Sequence, residues 1–294
     1  MAEGCWPDLS VIALVTARSA RHLDDDLSAL SAALIRADIE HRIEAWDDAS
    51  VRWENYELAV VRSTWDYPTR FRDFVSWVDD VATRTRLFNP PDVLRWSTDK
   101  HYLADLAAAG VPIVATTFVE PGDEVVIPDG DHVLKPVVGV GAMDSIRVTR
   151  ANEREAIVHI ERLLQSERSV MLQPYVGGID HYGETALIYI DGGFSHAVRK
   201  GAILASAPEM VEGLYAREDI TTRAPSVAER QVAEQALAAV AGGPLLYARV
   251  DVVPGEEGPV VLELELCEPS LYLAFGDGAA DRLAAAIGDR RTPR

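Results

Sequence analysis

The sequence lacks the features that mark secreted, zinc-binding and membrane-spanning proteins. Its two cysteines, Cys5 and Cys267, cannot build a disulfide framework, and no CxxC pair or Cys/His cluster suggests zinc. The first ten residues carry Glu3 and Asp8 where a signal peptide carries positive charge. No apolar run approaches the roughly 18 residues that span a bilayer. These absences predict a cytoplasmic protein with reduced thiols and no membrane partner.

Basic residues are scarce as well. Among 294 residues, 47 are acidic and 28 are lysine or arginine, which gives a net charge of -19. Such a surface repels phosphate backbones, so we expect no nucleic-acid partner. The balance of 48% hydrophobic and 26% charged residues is ordinary for a globular protein. We expect a small-molecule ligand held by a few clustered cations, and either a monomer or a homodimer.

The first third alternates strand-like and helix-like segments. Residues 11–15 and 58–61 are short apolar runs, the pattern of strands buried on both faces. A helical pattern follows each run, and the carboxylates of residues 24–26 can cap the first helix. The alternation predicts a parallel sheet, which binds ligands at the carboxyl ends of its strands. At that edge we expect Thr16, Arg18, Ser63, Trp65 and Asp66.

The tripeptide Asn89-Pro90-Pro91 breaks regular structure and predicts a boundary. Beyond it, Thr98 can cap a helix that extends to residue 106. Lys100 would then lie in the first turn of that helix, where the macrodipole disfavours a cation. This placement indicates another role for Lys100, although an ordinary surface lysine explains it equally well.

The middle third predicts a small α+β lobe. A helix opens at Asn152, with Glu155 at the spacing of a capping box. The strand-like stretches around this helix are residues 125–127, 133–135, 145–148 and 170–172.

Two segments of this lobe suit a nucleotide. Lys135 precedes a turn that contains Gly139 and Gly141, and such a turn can present backbone N–H groups to phosphate oxygens. The turn matches neither the Walker motif nor GxGxxG, so an ordinary hairpin explains it as well. Residues 173–176 lead into Gly177-Gly178, which is either a hinge whose backbone can bind adenine or a plain linker.

The last third contains two hairpins, one around Asp191-Gly192-Gly193 and one formed by residues 247–253 and 260–266. In the second hairpin, a period of two places Asp251, Glu263 and Glu265 on one side. Three adjacent carboxylates repel each other unless they are protonated or bridged by a cation, and magnesium suits oxygen ligands. A solvated outer face of the sheet explains the same alternation.

The order of these features resembles the ATP-grasp superfamily: a lysine at a helix start, a lysine before a glycine loop, a hinge after a strand, and Asp…Glu-x-Glu on a terminal hairpin. The resemblance covers essentially the whole chain. It implies an N-terminal α/β domain with a parallel sheet, a small central lobe and a C-terminal lobe with an antiparallel sheet and the metal site. These units would be residues 1–96, 97–176 and 177–294.

The resemblance also implies ATP, two magnesium ions and a role for each candidate residue. The phosphates of ATP would contact Lys100 and Lys135 beneath a lid loop of Gly139, Gly141 and Ala142. Adenine and ribose would contact Gln173, Tyr175, Val176 and Glu184. Magnesium would bind Asp251, Glu263 and Glu265, the last of which is often asparagine in the superfamily. The transferring phosphoryl group would face Arg199, Lys200 and Arg249, and the amino-acid substrate would contact Thr16, Arg18, Ser63, Trp65 and Asp66.

Residues 62–67 and 194–200 resemble the glutathione-synthetase-related branch. That branch includes the ring closure of O-ureido-D-serine to D-cycloserine, so the resemblance implies a ligase that forms an acyl phosphate and closes it onto a nitrogen. Two alternatives stay open. One is an intermolecular ligase of amino acids or dipeptides, and the other is a nucleotide-binding scaffold without catalysis.

Overall fold

A parallel sheet forms the N-terminal part of the protein. The computed structural model describes residues 10–202, 210–211, 214–216 and 218–291, so Cys5 lies outside the described residues. The four strands follow the order β2-β1-β3-β4. The elements are β1 (Ile12–Thr16), α1 (Asp25–Arg36), β2 (His41–Ala45), β3 (Leu58–Ser63), α2 (Phe71–Ala82) and β4 (Arg86–Phe88), with 3-10 turns at Trp53–Asn55 and Tyr67–Arg70.

The central part is an antiparallel sheet of order β5-β8-β6-β7 with one long helix. Two short helices, α3 (Pro91–Ser97) and α4 (Tyr102–Ala108), precede it. The remaining elements are β5 (Thr117–Val119), β6 (His132–Pro136), β7 (Ile146–Val148), α5 (Glu153–Gln165) and β8 (Val170–Pro174).

A five-stranded antiparallel sheet of order β13-β10-β9-β14-β15 forms the C-terminal part. The hairpin between β9 and β10 turns at Asp191 and Gly192, whose positive φ angles of 51° and 73° are those of a type I′ turn. The elements are α6 (Ile179–Tyr182), β9 (Glu184–Ile190), β10 (Gly193–Lys200), β11 (Met210–Val211), β12 (Tyr215–Ala216), β13 (Ile220–Thr222), α7 (Val227–Ala238), β14 (Tyr247–Pro254), β15 (Pro259–Glu265) and α8 (Ala279–Asp289), with a 3-10 turn at Leu273–Phe275.

The three parts share cores. One face of the parallel sheet and helix α1 pack with α8 and the C-terminal sheet, where Leu30 and Leu283 are both fully buried. Tyr102 and Leu106 of α4 also pack on the C-terminal sheet, and the Tyr102 hydroxyl accepts a hydrogen bond from the Leu264 N–H at 2.9 Å. The division at residues 96 and 176 therefore stays a prediction, although each sheet lies within one predicted unit. Among the described residues, no helix has the length and apolar character needed to cross a bilayer.

Several local predictions are corrected. Residues 125–127 form no strand, and β5 pairs with β8 instead. Asn152 precedes α5, but its side chain bonds Thr149 and Arg147 rather than the helix, so no capping box forms there. Helix α4 begins at Tyr102, which leaves Lys100 in the turn before it, and the macrodipole argument for Lys100 does not apply. By contrast, Asp24 caps α1, as predicted, through a bond to the Asp26 N–H.

Polar side chains of the N-terminal part hold the loop that follows β15. The Asp26 carboxylate accepts the backbone N–H groups of Leu271, Tyr272 and Leu273 at 2.6–3.0 Å. Arg62 donates to the Pro269 carbonyl at 2.8 Å. At φ 49°, Tyr272 adopts a left-handed conformation that costs a non-glycine residue about 1–3 kcal/mol. Asp26 offsets this cost, so the path of the loop depends on the N-terminal part.

Replacing this acceptor should destabilise the whole chain. In Asp26→Ala, three buried N–H groups lose their partner, and we expect the free energy of unfolding to fall by about 2–4 kcal/mol. Asp25→Ala is the matched control, because the exposed Asp25 on the same turn makes no such bonds. Urea denaturation of both variants measures the difference. Equal midpoints would contradict the assigned role of Asp26.

Candidate active site

A cleft of about 730 Å³ lies where the three sheets meet. The protein contains three lysines, and all of them line this cleft together with the acidic hairpin of β14 and β15. The remaining walls come from the loop after β6, the end of β8, the loop after β15 and the start of α1. Residues from all three parts of the chain therefore face one space.

The predicted acidic trio lies at the base of the cleft. Strand pairing places Asp251 opposite Glu263 and Arg249 opposite Glu265, and ligand oxygens of the trio lie within 4.8 Å of one another. A β-bulge next to Asp251 interrupts strict alternation. It leaves Val261 fully buried, rather than on the acidic face as period two predicts, while Leu262 lines the cleft.

Lys200 and Arg249 neutralise Asp251, which is fully buried. The Lys200 Nζ lies 2.9 Å from Asp251, 3.1 Å from Glu184 and 3.5 Å from Glu218. The Arg249 guanidinium donates to both oxygens of Asp251, at 2.9 and 3.0 Å, and also to Glu265. Burial would lower the pKa of Lys200, but the three carboxylates outweigh it and raise that pKa well above its ordinary range.

Lys100 and Lys135 meet the trio from the opposite wall. Their Nζ atoms lie 3.0 and 3.9 Å from the two oxygens of Glu263. Burial would raise the pKa of Glu263, but the two lysines outweigh it, and the pKa is lowered. Among the described residues, Arg249 is the cation that bonds Glu265. Burial, together with Glu263 and Asp251, raises the pKa of Glu265 to about 8. A divalent cation bound by the trio would favour the charged form of this carboxyl.

The glycine loop covers this end of the cleft. The Lys100 Nζ donates to the Gly139 carbonyl at 2.6 Å. Gly141 has a φ of 62°, and a Cβ there would lie 2.5 Å from the backbone of Tyr215, so only glycine allows the loop to reach β12. Tyr215 in turn packs its ring on Trp65 at 5.2 Å. Gly139, Gly141 and Ala142 all line the cleft, as expected of a covering loop.

The end of β8 forms the far wall. Gln173, Tyr175, Val176 and Glu184 all line the cleft. The Gln173 side chain donates to Thr116 at 3.0 Å, while its buried Oε1 has no partner in the part of the chain that the structure describes. A buried acceptor without a partner is costly, so this atom is available to a ligand. Arg147 stacks on the Tyr175 ring at 3.6 Å and fixes its orientation.

The structure corrects four of the five predicted substrate residues. Thr16 and Ser63 are buried in the sheet, where their hydroxyls bond each other at 2.8 Å. Arg18 pairs with Asp48 on the surface, and Asp66 bonds Trp46 and Arg70. None of the four lines the cleft, which only Trp65 of the predicted set reaches. Whether the last residue of a strand faces the cleft depends on how that strand pairs with its neighbours. Sequence periodicity does not show this register.

Arg199 is also corrected. It follows Val198 on β10 and precedes Lys200, so its side chain points away from the face that carries Lys200. Its guanidinium bonds the carbonyls of Tyr182 and His181 over Gly183 instead of entering the cleft. Because successive residues of a strand point to opposite faces, the sequence of β10 already predicts that Arg199 and Lys200 lie on different faces of the sheet.

Sequence analysis missed a group of cleft residues on the N-terminal side and after β15. Asp24 is buried, its Oδ2 makes no hydrogen bond to the described residues, and burial raises its pKa although nearby Arg62 and Ser63 lower it. The sequence predicted Asp24 as a cap of α1. A capping role uses one carboxylate oxygen and gave no signal that Asp24 also lines the cleft. The others gave no periodic signal, because they lie in loops: Tyr67, Glu218, Glu268, Ser270 and Tyr272.

Comparison with known proteins agrees with this geometry. A family described as D-cycloserine synthetase DcsG, N-terminal domain, matches residues 12–89. The cycloserine biosynthesis protein DcsG of Streptomyces lavendulae is 38% identical over 301 residues, covering 97% of this chain and 100% of that protein. The crystal structure of D-cycloserine synthetase DcsG, also 38% identical, covers 95% of this chain and 99% of its own with a TM-score of 0.87.

A more distant structure has the same fold. The D-alanine–D-alanine ligase from Bacillus anthracis, solved with ATP, is 13% identical and superposes with a TM-score of 0.70 over 95% of this chain and 96% of its own. The fold and the relatives together define an ATP-dependent ligase of the ATP-grasp class, which confirms the predicted fold and enzyme class. Within that class, the chain belongs to the family of the D-cycloserine synthetase DcsG.

The opposite orientations of Arg199 and Lys200 can be tested by stability. Lys200→Met removes the cation that pairs with Glu184 and Glu218 and leaves Asp251 with Arg249 alone. We expect the free energy of unfolding to fall by about 3–5 kcal/mol. Arg199→Ala removes only partly exposed bonds and should cost less than about 1 kcal/mol. Chemical denaturation at neutral pH compares the two. A larger loss in Arg199→Ala than in Lys200→Met would refute the assignment.

Proposed function

We propose that this chain is a ring-closing ligase that uses ATP to convert O-ureido-D-serine into D-cycloserine. The family supports the product, since the relative is a cycloserine biosynthesis protein. One observation carries the chemistry: the three lysines and the acidic trio meet in one cleft that also opens onto the N-terminal part. A cytoplasmic location is consistent with the consumption of ATP and with the free thiol of Cys267.

In this proposal, the nucleotide lies between the end of β8 and the C-terminal sheet. Adenine and ribose contact Gln173, Tyr175, Val176 and Glu184, and the free Oε1 of Gln173 is an acceptor for an amino group. The phosphates contact Lys100 and Lys135 under the glycine loop. In the structure, these lysines pair with Glu263. When ATP and metal bind, the phosphates would pair with the lysines and the metal ion would pair with Glu263.

Asp251, Glu263 and Glu265 are the proposed ligands of two magnesium ions. The ions would neutralise phosphate charge during transfer, which is what phosphoryl transfer chiefly requires. Arg249 and Lys200 lie beside Asp251 and would stabilise the charge of the transferring group from the side of the sheet.

The reaction activates a carboxylate and then uses it. The substrate carboxylate attacks the γ-phosphorus, and the acyl phosphate that forms has a good leaving group. The nitrogen bonded to the side-chain oxygen then attacks the acyl carbon. Because nucleophile and electrophile belong to one molecule, ring closure has a high effective concentration. The carbamoyl group, absent from D-cycloserine, leaves with water as carbon dioxide and ammonia.

The function is tested by mixing the protein with magnesium, ATP and O-ureido-D-serine and measuring ADP and D-cycloserine. We expect both products in equal amounts without any second amine. An intermolecular ligase would form ADP only after another amino acid is added. A scaffold would form neither product.

The proposed metal site is tested by Glu263→Gln. We expect a folded protein in which ADP formation falls by about 100-fold or more, since the trio loses one charge and both lysines lose their partner. Glu257→Gln, in the exposed turn of the same hairpin, should retain wild-type turnover. Unchanged ADP formation in Glu263→Gln would refute the metal assignment.

A further inference from the structure

Glu268 is one of the cleft carboxylates to which the proposed nucleotide and metal sites give no function. It is 8% exposed and lies in the loop after β15. The groups that act on its carboxylate are Cys267, Lys100, Tyr67 and Arg249, and among the described residues no ion pair joins it to a cation. Burial raises the pKa of Glu268. Asp251 and Glu263, by contrast, are both fixed by ion pairs with cations.

The backbone of Glu268 is anchored by side chains of the N-terminal part. The Trp65 indole donates to the Glu268 carbonyl at 3.0 Å, and Arg62 holds the next residue through the Pro269 carbonyl. Glu265, at the metal end, is three positions earlier in the chain. Glu268 therefore lines the same cleft as Glu265, Trp65 and Tyr67.

Ring closure requires a proton acceptor at this position. The attacking nitrogen must lose its hydrogen as it bonds to the acyl carbon. Protonated lysine and arginine cannot accept it, and the trio is committed to cations. Asp24 and Asp26 are two other buried acids that line the cleft. The Oδ1 of Asp24 caps α1 and Arg62 lies beside it, and the Asp26 carboxylate already accepts three backbone N–H groups.

We propose that Glu268 is the general base of the ring-closing step, an inference that rests on the proposed function. The nitrogen forms the C–N bond and transfers its proton to the Glu268 carboxylate. The C–O bond to phosphate breaks, and phosphate leaves with the electron pair. The carbamoyl group stays on the nitrogen in this step and is hydrolysed afterwards by water.

Hydroxylamine separates activation from ring closure. It is a free base at neutral pH and traps an acyl phosphate as a hydroxamate without help from Glu268. In Glu268→Gln, with magnesium, ATP and O-ureido-D-serine, we expect D-cycloserine formation to fall by about 100-fold or more. Hydroxamate formation should remain within about threefold of the wild type. The product-to-hydroxamate ratio does not depend on the fraction of folded enzyme.

Three further measurements decide the outcome. Glu268→Asp keeps a carboxylate and should restore part of the ratio, whereas Glu161→Gln, on the exposed face of α5, should match the wild type. A wild-type ratio in Glu268→Gln, or a low ratio in Asp24→Asn instead, would overturn the role of Glu268. Parallel loss of hydroxamate and product would also overturn it. Absence of D-cycloserine from the wild-type reaction would overturn the proposed function itself.

Discussion

The buried carboxylates of the C-terminal sheet need cations, and the cations come from separate parts of the chain. Asp251 has no exposed surface and is stabilised by Lys200 of β10 and Arg249 of its own strand. Glu263 depends on Lys100 and Lys135, which precede α4 and end β6. An unpaired buried charge costs several kcal/mol, so the pairs of Glu263 with Lys100 and Lys135 favour the approach of the central part to the C-terminal sheet. The cleft is the space left between them.

A second constraint comes from the N-terminal part, which bonds the backbone of the loop after β15 rather than its side chains. Asp26, Arg62 and Trp65 all contact main-chain atoms of residues 268–273. Their bonds fix the path of the loop, and Glu268, Ser270 and Tyr272 line the cleft. The same scaffold could therefore hold different loop residues, which is how related ligases can share a fold and differ in substrate.

Sequence reasoning succeeded where a local pattern has one structural meaning. The alternation around Asp251 and Glu263 predicted a shared face, and the strand pairing confirms it. It failed at strand ends. Thr16 and Ser63 were assigned to the cleft because they follow apolar runs, yet both remain within the sheet. The bulge that buries Val261 also has no local signal, since it arises from the pairing of two strands.

The sequence by itself determined the alternation of strands and helices in the first third, the polar face of the last hairpin and the scarcity of lysine that makes Lys100, Lys135 and Lys200 informative. These properties depend on neighbouring residues and on periods of two and 3.6. Only the tertiary structure decided that Glu268 faces the cleft, that Arg199 does not, and that Asp26 holds Leu271, 245 positions away. Such contacts join distant segments, and their geometry follows from packing, which no local pattern encodes.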